Sequence, residues 1–136
     1  MLSPALIGLD TNVVLRGILG DDPAQSHAAG EIFRSLTTAR RGFITQVTLV
    51  EVYWVMFRGL RLSREDCLEA IRRLVQTDVI EFDDGETVVT ALALADDGAD
   101  FADALIDGTM RMFGTTETVT FDRRAAQRLG WRLLED

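Results

Sequence analysis

The chain has 136 residues, of which 47% are hydrophobic and 26% charged, values typical of a folded globular domain and unlike those of disordered or fibrous proteins. All 14 basic residues are arginine, which excludes chemistry that requires a lysine, such as Schiff-base formation or P-loop phosphate binding. The formal charge is -8, and residues 78–107 hold ten acidic side chains and no basic one, so the acidity is local.

The predicted elements alternate between strands and helices. In chain order they are a strand over residues 5–9, a helix over 11–19, a helix from an Asp22-Pro23 cap to about 39, a strand over 42–45, a helix capped by Thr45 to about 58, a helix capped by Ser63 to about 76, a strand over 79–82, a helix over 86–95, a helix from Asp100 to 112, a strand over 118–121, a helix over 123–129 ended by Gly130, and a short strand over 131–133.

Strands that alternate with helices, without hairpin signals, indicate crossover connections and a mostly parallel sheet covered by helices. We therefore expect an α/β fold, a three-layer α/β/α sandwich, built as a single domain over residues 1–136. The longest uncharged runs reach nine residues, short of the roughly 20 that a membrane-spanning helix needs. We therefore expect no membrane segment. No basic residue precedes Arg16, so we expect no secretory signal. The single cysteine, Cys67, cannot form an internal disulfide, and we expect a cytoplasmic protein.

Two aspartates follow predicted strands directly. Asp10 and Asp122 each stand where a strand hands over to a helix, and in open parallel sheets the ligand crevice lies outside the carboxyl ends of the strands. Each aspartate alone is explained equally well as the cap of the next helix. A pair in this position favours a functional site.

Glu51 is the only charged residue between Gly42 and Phe57. Acidic side chains are seldom buried without a partner, so Glu51 either reaches the surface on a narrow polar stripe or joins a polar site. We favour the site, because the surrounding sequence offers little polar stripe at helical spacing.

Three aspartates share one face of the helix that Asp100 begins. Asp100, Asp103 and Asp107 stand at i, i+3 and i+7, opposite an expected apolar face containing Ile106 and Met110. We predict that Asp100 is a cap near the site, that Asp103 is a ligand, and that Asp107 is solvated.

Carboxylates that converge repel one another unless a cation neutralises them. Oxygen ligands favour hard ions, here Mg²⁺ or Mn²⁺. Such a centre supports hydrolysis of a phosphodiester, because the metal acidifies a bound water and offsets charge on the leaving oxygen.

Four segments in this order resemble the motifs of PIN-domain ribonucleases, and most closely those of VapC-type toxins of bacterial toxin-antitoxin modules. They are Leu-Asp10-Thr11-Asn12-Val-Val-Leu-Arg16, Val-Thr-Leu-Val-Glu51-Val, Asp100-Phe-Ala-Asp103-Ala-Leu-Ile, and Thr120-Phe-Asp122. The resemblance covers nearly the whole chain. One departure is Asp107, where many relatives have a small residue.

The resemblance implies that Asp10, Glu51, Asp103 and Asp122 are the catalytic, metal-binding acids, with Asp122 the more variable one. It implies a Mg²⁺- or Mn²⁺-dependent endoribonuclease whose substrate is a transfer RNA or a ribosomal RNA loop. It also implies a homodimer and a cognate antitoxin, which occupies a hydrophobic groove and places a basic side chain in the acidic site. Leu15, Ile18 and Phe33 are candidates for that groove, or for the core.

Several alternatives remain open on the sequence. Thr11 and Thr120 either position an acid or water through their hydroxyls or serve the start of a helix and a strand. Arg123, Arg124 and Arg128 form either a solvated face or a rim that holds phosphate. Receiver-type signalling domains and haloacid-dehalogenase-like phosphatases need a lysine that the chain lacks. The remaining rival is a catalytically degenerate PIN domain that binds RNA or protein without cleaving.

Overall fold

The computed structural model describes residues 5–20 and 23–135. These residues form two compact units, the first running to Gly85 and the second starting at Glu86. The assignment of residues 1–136 to one domain stays a prediction. Within the described ranges, no helix combines the length and the apolar character needed to span a membrane.

A parallel sheet of three strands organises the first unit. Its strands are β1 (Ala5–Gly8), β2 (Arg40–Ile44) and β3 (Ile80–Phe82), hydrogen-bonded in the order β1-β2-β3. Both pairings are parallel. The carboxyl ends of all three strands therefore face the same edge of the sheet.

Four helices belong to the first unit. They are α1 (Thr11–Leu19), α2 (Pro23–Ser35), α3 (Gln46–Trp54) and α4 (Arg64–Val75), with a π-helical turn over Val55–Gly59 that continues α3. The side chains of Val14, Ile44, Leu49 and Ile71 are fully buried and form the centre of the unit. Cys67 is also buried, and this burial raises the pKa of its thiol.

Helix α2 is shorter than predicted. It ends at Ser35 rather than near residue 39, and the Ser35 hydroxyl donates a hydrogen bond to the Ile32 carbonyl, 2.6 Å away. Thr37 and Arg40 then exchange backbone hydrogen bonds in a tight turn, so β2 starts two residues earlier than predicted. The Asp22 cap lies outside the described residues.

The second unit contains three helices and a small sheet. The elements are α5 (Gly85–Asp96), which starts at the last residue of the first unit, α6 (Phe101–Met112), β4 (Val119–Thr120), α7 (Arg123–Leu129) and β5 (Arg132–Leu133). Strands β4 and β5 pair in parallel, with Val119 opposite Arg132. Gly130 adopts a left-handed conformation after α7, as its predicted role as a stop requires. The α/β class and the parallel pairing of strands are thus confirmed.

The faces of α6 differ from the prediction. Ile106 and Met110, expected in the apolar face, are exposed, whereas Asp107, expected in solvent, is only 6% exposed. The buried face contains Phe101, Ala104 and Leu105 together with Asp107. The interpretation of Asp107 as a solvated acid is therefore wrong.

Candidate functional site

Asp10 and Asp122 each begin a helix as its N-cap. Asp10 Oδ1 accepts a hydrogen bond from the Val13 backbone N–H at 3.0 Å, and Asp122 Oδ1 accepts from Arg124 and Ala125 at 2.8 and 3.1 Å. The cap interpretation is confirmed for both. Each cap uses one carboxylate oxygen, and within the described residues Oδ2 of each aspartate has no hydrogen-bond partner. Both side chains are exposed, so capping and ligand binding are compatible at the two positions.

Glu51 is linked to the start of α1 through Thr11. The Thr11 hydroxyl donates to Glu51 Oε2 across a distance of 3.1 Å. Glu51 lies on α3 and is exposed. It therefore reaches the surface and also makes a polar contact, so the two alternatives drawn from the sequence are not exclusive. Because Thr11 directly follows Asp10, the first unit brings Glu51 close to Asp10. Of the two roles left open for Thr11, positioning an acid is the one that this contact supports.

Asp10 also borders a cavity of about 320 Å³ between α1 and α2. Arg16 and Gln25 line the same cavity, and the Arg16 Nε–H donates to Gln25 Oε1 at 2.9 Å. The cavity next to Asp10 is therefore partly polar and includes the Arg16 guanidinium in its lining.

In the second unit, Asp103 is half-buried in the first turn of α6. The Asp100 side chain caps this helix by accepting the Asp103 backbone N–H at 2.9 Å. Burial raises the pKa of the Asp103 carboxyl, and the charges of Asp100 and Asp122 raise it further. The unit therefore brings three acidic side chains close enough to repel one another, which is the situation a bound cation relieves.

Asp107 is held apart from this acidic group by two donors of its own. The Arg111 Nε–H donates to its Oδ2 at 2.8 Å, and the Trp131 indole Nε1–H donates to its Oδ1 at 2.9 Å. Both oxygens are satisfied. Asp107 is therefore a structural carboxylate that ties α6 to the segment before β5.

Asp83 is a carboxylate that the sequence motifs do not single out. It follows β3 as Asp10 follows β1, and its Oδ1 accepts the Gln46 backbone N–H at the start of α3, 3.0 Å away. Its position directly after an apolar strand is the signal that could have identified it. Within residues 5–20 and 23–135, no group of three or more histidine, cysteine or acidic side chains forms a ready-made metal site.

The sequence model of the PIN domain family matches residues 7–130. The chain therefore belongs to the PIN domain family, and its helices and parallel sheets are those of an α/β/α PIN-like fold. PIN domains are generally nucleases and typically depend on a divalent metal. No curated protein matches the chain.

Proposed function

We propose that this chain is a Mg²⁺- or Mn²⁺-dependent endoribonuclease that acts in the cytoplasm as the VapC-type toxin of a toxin-antitoxin pair. The observation that carries the proposal is the family match over residues 7–130, with an acid at all four motif positions. In this proposal Asp10, Glu51, Asp103 and Asp122 supply the carboxylates of the reaction.

The chemistry of these side chains fits a hard divalent cation. All four donors are carboxylates, the ligand type that Mg²⁺ and Mn²⁺ prefer. The raised pKa of Asp103 indicates that neighbouring charge disfavours its ionised form, and positive charge at the site would reverse that effect. The free Oδ2 atoms of Asp10 and Asp122 leave each cap one oxygen for coordination.

The chain's own contacts support orientation of these acids. The Thr11 hydroxyl fixes one oxygen of Glu51, and capping fixes the rotamers of Asp10 and Asp122. When a divalent cation is bound by such carboxylates, the chemistry supplied is a more acidic water and neutralisation of phosphate charge. The protein's part is to hold the acids in place before the substrate arrives.

A groove in the first unit supports the antitoxin part of the proposal. A cavity of about 470 Å³ is lined by both apolar and charged side chains; the apolar ones include Ile18, Phe33, Leu74 and Ile80, and the charged ones are Asp66, Glu69 and Arg73. Leu15, also a candidate for the groove, is buried in the core. A lining that combines apolar and charged side chains suits an amphipathic segment of a partner. The homodimer remains part of the proposal.

The decisive experiment is cleavage of RNA by purified protein with Mg²⁺, Mn²⁺ or EDTA. We expect cleavage that depends on the cation, and a loss of orders of magnitude in rate for Asp103→Asn. Asp97→Asn is the matched control, because Asp97 is an exposed acid of the same unit whose side chain has no partner within the described chain. Sequencing of new 5′ RNA ends after induced expression then identifies the substrate, which we expect to be a transfer RNA or a ribosomal RNA loop.

Two outcomes would change the conclusion. Binding of RNA without cleavage under any cation would favour the degenerate PIN domain. Equal cleavage by wild type and Asp103→Asn would remove the acid-dependent mechanism.

A further inference from the structure

An exposed aromatic ring directly precedes the fourth acid. Phe121 is 69% exposed, although it follows β4 and stands next to Asp122. An aromatic side chain in water forgoes the burial that stabilises most phenylalanines. The ring next to Asp122 is therefore available to contact a ligand.

The backbone around Phe121 is held by side-chain hydrogen bonds. The Thr120 hydroxyl accepts the Asp122 backbone N–H at 3.0 Å, and Asp122 in turn accepts from Arg124 and Ala125. These contacts fix the backbone where β4 hands over to the first turn of α7. The ring of Phe121 is thus presented from a rigid segment, which lowers the entropy lost when a flat ligand binds it.

Two arginines follow Asp122 directly as the first residues of α7. Arg123 and Arg124 are exposed, and within the described residues neither is paired with a carboxylate. The other three arginines of the second unit are engaged: Arg111 contacts Asp107, Arg128 contacts the Asp97 carbonyl, and Arg132 contacts Glu117. Among the described residues of this acidic unit, the unpaired guanidinium groups are therefore those of the two arginines that follow Asp122 in the chain.

An exposed aromatic ring followed within three residues of the chain by two unpaired guanidinium groups matches the chemistry of one unpaired nucleotide. A base stacks on an aromatic ring whatever its identity, and arginine binds phosphate through paired N–H donors. We propose that Phe121, Arg123 and Arg124 form a nucleotide subsite that takes one unstacked base and its phosphates from single-stranded RNA next to Asp122. The inference rests on the proposed ribonuclease function and adds selection of unpaired over duplex RNA, since a base in a duplex cannot offer its face.

Phe113 provides a matched control within the same unit. It is 82% exposed. It follows α6 and, unlike Phe121, does not stand next to an acid of the proposed site. The nearest arginine in sequence, Arg111, is already bound to Asp107. Removing the Phe113 ring changes exposed aromatic area without changing the proposed subsite.

The test measures binding apart from cleavage. Fluorescence anisotropy in EDTA follows a labelled oligouridine of about 12 nucleotides bound to the full chain. We expect Phe121→Ala to weaken binding about 10-fold, Phe121→Trp to retain affinity, and Phe113→Ala to bind as wild type. The double change Arg123→Gln with Arg124→Gln should make the slope of log affinity against log salt shallower by about 1.4, since each phosphate contact on a single strand contributes roughly 0.7.

An abasic oligonucleotide of the same length separates stacking from charge. On this probe Phe121→Ala should bind like wild type, whereas the arginine double variant should still lose affinity. Equal losses for Phe121→Ala and Phe113→Ala, or no loss on oligouridine, would overturn the subsite. A lower mass in solution for Phe121→Ala would also overturn it, because the ring would then belong to a contact between copies of the chain.

Failure of this inference and failure of the proposed function give different results. Binding that depends on Phe121 in a protein that cleaves no RNA would support the subsite and reject the nuclease. Cation-dependent cleavage, together with RNA binding that is unchanged in Phe121→Ala, would support the nuclease and reject the subsite.

Discussion

The indole of Trp131 donates its Nε1–H to Asp107 Oδ1 at 2.9 Å, while Arg111 occupies the other oxygen of the same carboxylate. Residues 24 positions apart are joined by this bond. It fixes α6, which carries Asp103, against the segment that enters β5. The acid that departs from the family pattern thus stabilises the second unit.

Replacement of Asp107 by alanine should therefore destabilise the protein. The change leaves the half-buried indole N–H of Trp131 without its acceptor and removes the ion pair to Arg111, so we expect a loss of about 2 kcal/mol in the free energy of unfolding. Urea titration followed by circular dichroism measures it. Asp97→Ala is the control and should stay within about 0.5 kcal/mol of wild type; equal stability of the two variants would show that the Asp107 contacts contribute nothing.

Asp103 should make stability depend on pH in an unusual direction. Its pKa is raised in the folded protein, so between the ordinary value of 3.8 and the raised value the folded state holds more protons than the unfolded state. The contribution of this group to stability is thus greatest at low pH and falls as pH rises through that window. Asp103→Asn removes the unfavourable charge, and we expect the variant to be more stable than wild type at neutral pH in EDTA.

The difference between the two proteins is the quantity to measure. Denaturation of wild type and Asp103→Asn across pH 3 to 7 should show a gap that opens as pH rises and closes near pH 3. Asp97→Asn controls for the general effect of removing a negative charge. A gap that is constant with pH, or equal for both variants, would contradict the interpretation of Asp103 as a crowded carboxylate.

Divalent cations should stabilise the fold. A cation that binds the folded state and not the unfolded one raises the melting temperature with its concentration, so Mn²⁺ or Mg²⁺ should raise Tm relative to EDTA. The increase should be smaller in Asp103→Asn and in Glu51→Gln and unchanged in Asp97→Asn. Calorimetry decides the matter, and identical melting in millimolar Mn²⁺ and EDTA would count against a carboxylate-bound cation.

Thr11 should act through Glu51. Thr11→Val keeps the shape of the side chain and removes the hydroxyl that donates to Glu51 Oε2. We expect a fall of about 10-fold in cleavage rate, little change in stability because the contact is exposed, and recovery of the rate in Thr11→Ser. A parallel loss of stability and activity, without recovery in the serine variant, would assign Thr11 to the helix start alone.

The local signals in the sequence predicted most of the secondary structure. Thr45, Ser63 and Asp100 cap helices as their positions indicate, because capping depends on one side chain and the backbone three residues on. The end of α2 was misplaced because the turn that joins Thr37 to Arg40 depends on hydrogen bonds with no sequence signature. The sequence predicted one helix to about residue 58 and did not predict that Val55–Gly59 forms a π-helical turn.

The site was predicted less completely than the fold. Spacing places Asp103 and Asp107 on one face of α6, but it contains no information about Trp131, whose indole draws Asp107 into the interior. The Thr11 contact to Glu51 joins residues 40 positions apart and is equally invisible to local patterns. Contacts between distant residues are not visible to local patterns, whereas the individual acids were: Asp10 and Asp122 follow strands, Glu51 is isolated among apolar residues, and Asp103 follows helical spacing from Asp100.

In the proposed function, Asp10 and Asp122 each cap a helix and also supply a carboxylate to the site, which affects how sequences of this kind can diverge. Asparagine and serine cap helices about as well as aspartate, so a single conservative exchange at either position preserves the folding signal while discarding a negative charge. A single substitution at either position can therefore abolish the proposed activity without destabilising the fold. Selection for stability alone would not remove such an inactive variant.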